Sequence, residues 1–355
     1  KMRRTQDLPD KESATMFFQD CKLAHQAQIT GISHSVKEIL PPDLLDLTQL
    51  QKEANIRYGY TASEVYDIAQ SLYEKKLISY PRTSSRYLTE DVFDSLSPIM
   101  ARLLSWELFP AAKGTGGIDI SSLSRHVINA EKANVHHAII ITGIRPGNLS
   151  EKEMQVYQLV AGRMLEAFMA PCRIETTNVE AVCAAQHFKA EQTRIIEAGW
   201  HDVFMRSDML PTSGYSVKEL PKMEKGDTLN VCGCNMVHKK LLPVNPFTDA
   251  ELVEYMEQNG LGTVSSRTNI IRTLVNRKYI RYSGKYIVPT PKGMFTYETI
   301  RGKKIADTSL TADWEKQLAG LESGMITGQD FLNRIRTLAK EMTDDIFNTY
   351  STKEE

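Results

Sequence analysis

The sequence predicts a multidomain protein of mixed α+β class, with one β-rich module and two helical modules. Three observations carry this prediction. Several helical stretches open on a hydroxyl followed three residues later by a glutamate: Thr61 with Glu64, Ser150 with Glu153, Thr248 with Glu251. In such a capping box the hydroxyl accepts the third amide and the glutamate accepts the first, so the helix start is set locally. From residue 172 to about 242 the apolar period falls to two, as in half-buried strands. After Pro246 the order is helix, tight turn, helix, hairpin, which is the winged-helix (CAP-like) order.

Residues 12–26 place Ala14, Phe17, Phe18, Cys21 and Ala24 on one helical stripe. Residues 29–39 alternate like a strand until Pro41-Pro42, which cannot continue a sheet and marks a domain boundary. Leu47, Leu50, Ala54 and Ile56 outline a short helix ended at Tyr58-Gly59-Tyr60. Thr61 caps a second helix over 62–75, with Val65, Ile68, Ala69 and Leu72 as its buried face. Residues 77–80 read as a strand, and Pro81 pins the backbone after it. Residues 101–134 show little periodicity beyond a Gly114-Thr115-Gly116-Gly117 turn. A helix over 150–168 is lined by Val156, Leu159, Val160, Met164 and Phe168. Strands are expected at 174–177, 179–182, 188–190, around Val217 and at 229–231. Pairing of these with 29–39 would make 43–176 an insertion between two halves of one β domain.

Beyond Pro246, Thr248 caps a helix bearing Leu252, Tyr255 and Met256, and Gly260-Leu261-Gly262 breaks the chain. Ser265 or Ser266 starts a helix with Ile270, Ile271, Leu274 and Val275; strands 279–282 and 285–288 then flank Ser283-Gly284. Amphipathic helices over 311–321 and 327–347 follow. Segment 47–80 begins as the later unit does, so two winged-helix-like units are expected.

At 355 residues, 41% apolar and 25% charged, the composition is that of a globular protein with room for two to three cores. No apolar run approaches the roughly 20 residues of a membrane-spanning helix. Lys1-Met2-Arg3-Arg4 leads into Asp7, Asp10 and Glu12 and not into the apolar core of a signal peptide. A chain that begins at Lys1 and runs straight into a helix reads as an excised fragment. The five cysteines are odd in number, and Cys232-Gly233-Cys234 lacks the spacing and second pair of a zinc knuckle. No metal site is expected in this chain, and the expected compartment is the reducing cytoplasm.

A net charge of −1 excludes a global nucleic-acid field, but the charge is unevenly placed. Between 265 and 304, ten basic residues, among them Arg267, Arg272, Lys278 and Lys285, face the single acid Glu298. A field of that density draws a phosphate backbone; a solvated basic face is the plainer alternative.

The segment Ser79-Tyr80-Pro81-Arg82-Thr83-Ser84-Ser85-Arg86 carries the chemistry. A phenol, with a reference pKa of about 10, becomes a usable nucleophile where cations favour its charged form. Attack on a backbone phosphate gives a phosphotyrosine ester that stores the broken bond for religation. Arg82 can hold the nonbridging oxygens, because a guanidinium fork matches phosphate and stays charged. Arg86 can do the same or contact a neighbouring phosphate. His136 and His137, in His136-His137-Ala138-Ile139-Ile140, would point to opposite faces of a strand, so one of the two can donate a hydrogen bond to the same phosphate. Most tyrosines at strand ends are packing residues, so the triplet acquires meaning from its company.

That company resembles the type IA DNA topoisomerases, most closely the bacterial topoisomerase III branch. The resemblance rests on 47–55 with Tyr73-Glu74, on 77–88, on 136–143, and on Gly260-Leu261-Gly262-Thr263-Val264-Ser265-Ser266-Arg267. Tyr279-Ile280, Pro289-Thr290-Pro291-Lys292-Gly293, 302–307 and Trp314 extend it over nearly the whole chain. It implies a partial torus: a β-rich arch from 1–42 and 177–244, a tyrosine-bearing winged-helix-like domain over 43–176, and a domain guiding single-stranded DNA over 245–355. It also implies Tyr80 as the nucleophile that joins a 5′ phosphate, Arg82 as the phosphate-positioning arginine and His136 as the active-region histidine.

The family's magnesium is held by an N-terminal acidic domain whose Asp-x-Asp-x-Glu cluster this chain lacks. The expectation is therefore a monomeric fragment that binds single-stranded or underwound DNA but is inactive alone. Its parent would be ATP-independent and nucleoid-associated, with a helicase as a further partner. Two departures stand out: Ser84 replaces the family's aspartate, removing a charge beside Tyr80, and Ile141 replaces a proline, removing a backbone restraint. A non-catalytic winged-helix DNA-binding module is the alternative reading, and a β-rich protein-interaction scaffold the blandest.

Overall fold

In the computed structural model the described residues are 2–5, 8–106, 108–109, 123, 125–133, 135–204, 221–237 and 245–351. They fall into two compact units: one from 1–42, 100–124 and 162–243, the other from 43–99, 125–161 and 244–355. The expected glycine turn at 114–117 and the strand around Val217 lie outside the described residues. Among the described residues no helix is long and apolar enough to cross a membrane.

The first unit is built on an antiparallel five-stranded sheet ordered β1-β4-β3-β2-β5. Its strands are β1 (Arg3–Arg4), β2 (Gln26–Ile39), β3 (Cys172–Cys183), β4 (Gln186–Glu197) and β5 (Thr228–Asn230), with helix α1 (Lys11–Leu23) before β2. Strand β2 pairs with β3 from Ile39↔Cys172 to Gln28↔Val182, joining segments far apart in sequence. The two short strands expected at 174–177 and 179–182 are one long strand. Thr177 and Asn178 pair with His34 and Ser33, so the ladder carries extended backbone through a polar stretch that has no apolar alternation. Ala184 and Ala185, both at positive φ (47° and 58°), make the β3–β4 turn, the conformation that matches strand twist.

Trp200 is buried and donates its indole N–H to the Ile39 carbonyl at 2.9 Å, closing the end of β2. Its neighbour Gly199 has φ +51°, and a Cβ there would meet the Ala170 and Pro171 carbonyl oxygens at 2.4 Å. Only glycine fits that approach.

In the second unit lie α2 (Leu47–Tyr58), α3 (Ala62–Glu74) and α4 (Glu90–Asp94). Helices α5 (Leu96–Ser105) and α6 (Glu151–Phe168) begin there. Then come α7 (Asp249–Gln258), α8 (Arg267–Asn276), the hairpin β6 (Ile280–Ser283) and β7 (Tyr286–Pro289), α9 (Pro291–Ile300), α10 (Thr308–Glu322) and α11 (Gly328–Ser351). The capping boxes at Thr61 and Thr248 form with both reciprocal bonds. Ile56 leaves the buried face of α2 and is 57% exposed, because Leu47, Leu50, Gln51 and Ala54 already define that face.

Two helical segments distant in sequence share one core. Ala62 packs with Val253, Met256, Ile271 and Ile287, and Gln51 donates to the Thr268 hydroxyl at 2.9 Å. Lys52 reaches Glu254 at 2.8 Å. Burial of this apolar cluster joins α2 and α3 to the helix-turn-helix-hairpin unit that follows Pro246.

Candidate active site

The tyrosine segment is aimed by the end of α3. Lys76 takes a left-handed conformation (φ 61°), Leu77 N–H bonds the Leu72 carbonyl at 2.9 Å, and Lys76 N–H bonds Tyr73 at 2.8 Å. This is a Schellman termination, which turns the chain sharply off the helix. Regular strand structure, expected at 77–80, reduces to a single bridge between Ile78 and Ile141. Side chains and turns take over the rest of the bonding. Ser79 N–H bonds the Ile140 carbonyl at 2.8 Å, while Ser79 Oγ donates to the Ala138 carbonyl and accepts from Ile140 N–H.

The loop after Tyr80 is fastened to the same partner. Thr83 Oγ1 donates to the His136 carbonyl at 3.1 Å, Ala138 N–H bonds the Tyr87 carbonyl at 2.9 Å, and Leu47 N–H bonds the Thr83 carbonyl at 3.1 Å. Thr83 and Ser85 are buried and bonded to each other, whereas Ser84 is exposed. Ile141 is fully buried, in the bridge with Ile78.

Tyr80 is half-buried, and its ring lies 4.7 Å from the His136 ring at a tilt of 49°. Tyr73 meets the same phenol edge-on at 5.4 Å. His136 is exposed, while His137 turns its Nδ1 onto the adjacent Ala138 carbonyl at 2.7 Å. The structure therefore brings Tyr80 and His136 together, with His137 occupied locally. Arg82 lies over the Tyr66 ring at 5.1 Å and donates from Nη2 to Gln70 at 3.3 Å. Tyr66, Gln70 and Tyr73 were not singled out as functional from periodicity. Their signal was the spacing of four and three along α3, on a face that Val65, Ala69 and Leu72 leave outside the core.

The basic residues divide by partner. Arg86 Nε bonds Asp46 at 2.7 Å, and Asp46, 2% exposed, also caps α2 through the Gln49 amide. Arg267 is 8% exposed and reaches Glu257 at 3.3 Å. Arg272 donates to Ser63 and Asp67, each at 2.8 Å. Lys278 and Lys285 are exposed, Lys278 at φ 61° just beyond α8 and Lys285 with its Nζ 5.3 Å from the Tyr286 ring centre. Among the described residues no three His, Cys, Asp or Glu side chains converge as metal ligands.

Comparison with known proteins identifies the family. A family model for DNA topoisomerase matches residues 1–333. The chain is 32% identical to DNA topoisomerase 3 of Bacillus licheniformis, over 90% of this chain and 47% of that protein. It is 30% identical to DNA topoisomerase 3 of Bacillus subtilis, over 92% and 48%. It spans about half the length of the curated relatives it matches. Full-length topoisomerase I of Thermotoga maritima superposes with a TM-score of 0.74 at 23% identity, over 96% of this chain and 56% of that one, and so shares the fold. The chain thus belongs to the DNA topoisomerase family, and its listed relatives are DNA topoisomerases 3.

Proposed function

We propose that this chain carries the strand-cleaving and strand-guiding part of a type IA DNA topoisomerase, with Tyr80 as its nucleophile. The observation that carries the reading is the packing of the Tyr80 phenol against His136, in a loop fastened to the 136–142 segment and bearing Arg82 two residues on. The phenol oxygen attacks a backbone phosphorus. A bond forms from phosphorus to that oxygen, the bond to the 3′ oxygen breaks, and the departing oxygen gains a proton as the phenol loses one. The 5′-phosphotyrosine ester keeps the bond energy, so the reverse step reseals the strand without ATP.

Arg82 offers its guanidinium to the nonbridging oxygens, and His136 offers an imidazole N–H to the same charge. Lys278 and Lys285 contact the strand backbone, and Arg86 shapes the loop through Asp46. Residues 1–42 and 177–244 serve as the arch, 43–176 as the tyrosine domain and 245–355 as the strand guide. The acidic residues that hold magnesium lie, in this reading, in the part of the relatives that this chain does not cover. The partner is single-stranded or underwound DNA in the cytoplasm, met by one copy of the protein, with a helicase opening the duplex for the longer enzyme.

Covalent trapping tests the assignment. With the acidic magnesium-holding portion of a relative supplied, a labelled single-stranded oligonucleotide is expected to form a denaturant-resistant adduct. Tyr80→Phe is expected to lower adduct formation by roughly a thousandfold or more. An adduct at wild-type level in Tyr80→Phe would overturn the nucleophile assignment. Salt-sensitive DNA binding without any adduct would leave a DNA-binding module alone.

A further inference from the structure

Helix α3 carries Tyr66, Gln70 and Glu74 at four-residue intervals, which sets them on one stripe. Tyr66 and Gln70 contact Arg82, and Glu74 reaches it through Gln70. The Tyr66 ring lies 5.1 Å from the guanidinium carbon. Gln70 Oε1 accepts from Arg82 Nη2 at 3.3 Å, and Gln70 Nε2 donates to Glu74 Oε1 at 2.8 Å. A carboxylate can only accept, so Glu74 holds the amide nitrogen toward itself and leaves the amide oxygen for the guanidinium. Arg82 Nε is shielded from solvent and has no hydrogen-bond partner among the described residues. Next to Gln70 on the same helix, Tyr73 takes the edge of the Tyr80 ring.

Resting on the phosphate-holding role given to Arg82 above, we propose that Tyr66, Gln70 and Glu74 are positioning residues that seat the Arg82 guanidinium beside Tyr80. An arginine has a long, rotamer-rich side chain, and fixing its planar head in advance spares that ordering at the moment of strand cleavage. The ring supplies a face for the cation, the amide supplies direction, and Glu74 supplies the amide's orientation. One helix thus orients the nucleophile through Tyr73 and the arginine through Tyr66 and Gln70, so the two groups move as a unit.

The seat is testable on this chain by itself, with arginine side-chain NMR and the Arg82 signal assigned by its loss in Arg82→Lys. The Arg82 Nε–H is expected to exchange with water at least about tenfold more slowly than that of an exposed arginine such as Arg301. Tyr66→Leu and Gln70→Ala should bring it to the exposed rate, and Tyr66→Phe, which keeps the ring face, should not. An Arg82 signal exchanging as fast as Arg301 in the wild type overturns the inference. If Tyr66→Leu fails to fold, Gln70→Ala and Glu74→Ala carry the test.

The second arm measures cleavage with the acidic portion supplied. Tyr66→Leu and Gln70→Ala should each slow adduct formation about three- to tenfold, with oligonucleotide affinity unchanged. Neither should add a loss in an Arg82→Ala background, where a merely structural role would add its full effect. If Arg82→Ala cleaves normally, the phosphate-holding reading fails and takes the catalytic part of the seat with it. If Arg82→Ala is slow but the stripe variants are not, the seat alone is overturned.

Discussion

Arg267 points its guanidinium at Glu257 from a buried position, whereas Lys278, on the same helix-turn-hairpin unit, stands in solvent. The two substitutions should therefore be read by different instruments. Arg267→Ala removes a guanidinium from Glu257, which still accepts from the Thr48 hydroxyl, and is expected to cost about 1–3 kcal/mol in a denaturant melt. Lys278→Glu and Lys285→Glu should hold stability within about 0.5 kcal/mol. They should instead weaken single-strand binding and make its salt dependence shallower by about 0.7 per lost phosphate contact. A salt titration in which neither variant changes the slope would remove both lysines from the interface. Periodicity and charge density marked all these cations alike. A carboxylate such as Asp46 or Asp67, brought in by packing, decides which cation is occupied.

At the scale of elements, the start of α6 shows a capping box tied into tertiary structure. Glu153 accepts the Ser150 amide at 3.0 Å and also meets Lys75 at 2.5 Å and Ser71 at 2.7 Å, both near the end of α3. The Lys75 ammonium first, then the Ser71 hydroxyl and the Ser150 amide, lower its carboxyl from 4.5 to about 2. A depressed folded value means that the stabilisation is present above the unfolded value and lost as pH falls through the folded one. Glu153→Gln is thus expected to cost about 1 kcal/mol at neutral pH. The gap from wild type should close as pH falls from about 4.5 to about 2. Urea midpoints across that range check it, and a gap that persists at pH 2 would assign the effect to packing.

Helix starts of this kind were legible because they depend on residues three apart. Helix α5 was not, since Pro98 reads as a breaker although the first turn tolerates it. Helix α9 was also missed, despite Thr290 as its cap and Pro291 in its first turn. Its exposed Met294, Phe295 and Tyr297 give no amphipathic face to read.

For the whole molecule, the proposed division of labour has a direct consequence. The purified chain is expected to bind single-stranded DNA yet leave a negatively supercoiled plasmid unrelaxed with magnesium present. Relaxation should return when the acidic portion of a relative is supplied. A plasmid assay in which the chain alone changes linking number would refute that division.

Sequence by itself determined the capped helix starts at Thr61, Ser150 and Thr248, the extended character of 29–39 and of 174–182, and the loop in which tyrosine and arginine sit. Each of these depends on neighbours within a turn or on alternation along one strand. Tertiary structure alone decided that His136 lies against Tyr80, that α3 reaches both Tyr80 and Arg82, and that Arg86 and Arg267 are bound to carboxylates. Those juxtapositions come from burying apolar faces of segments far apart in the chain, and hydrophobic burial has no direction of its own. Which polar groups then meet is settled only when the whole core has closed.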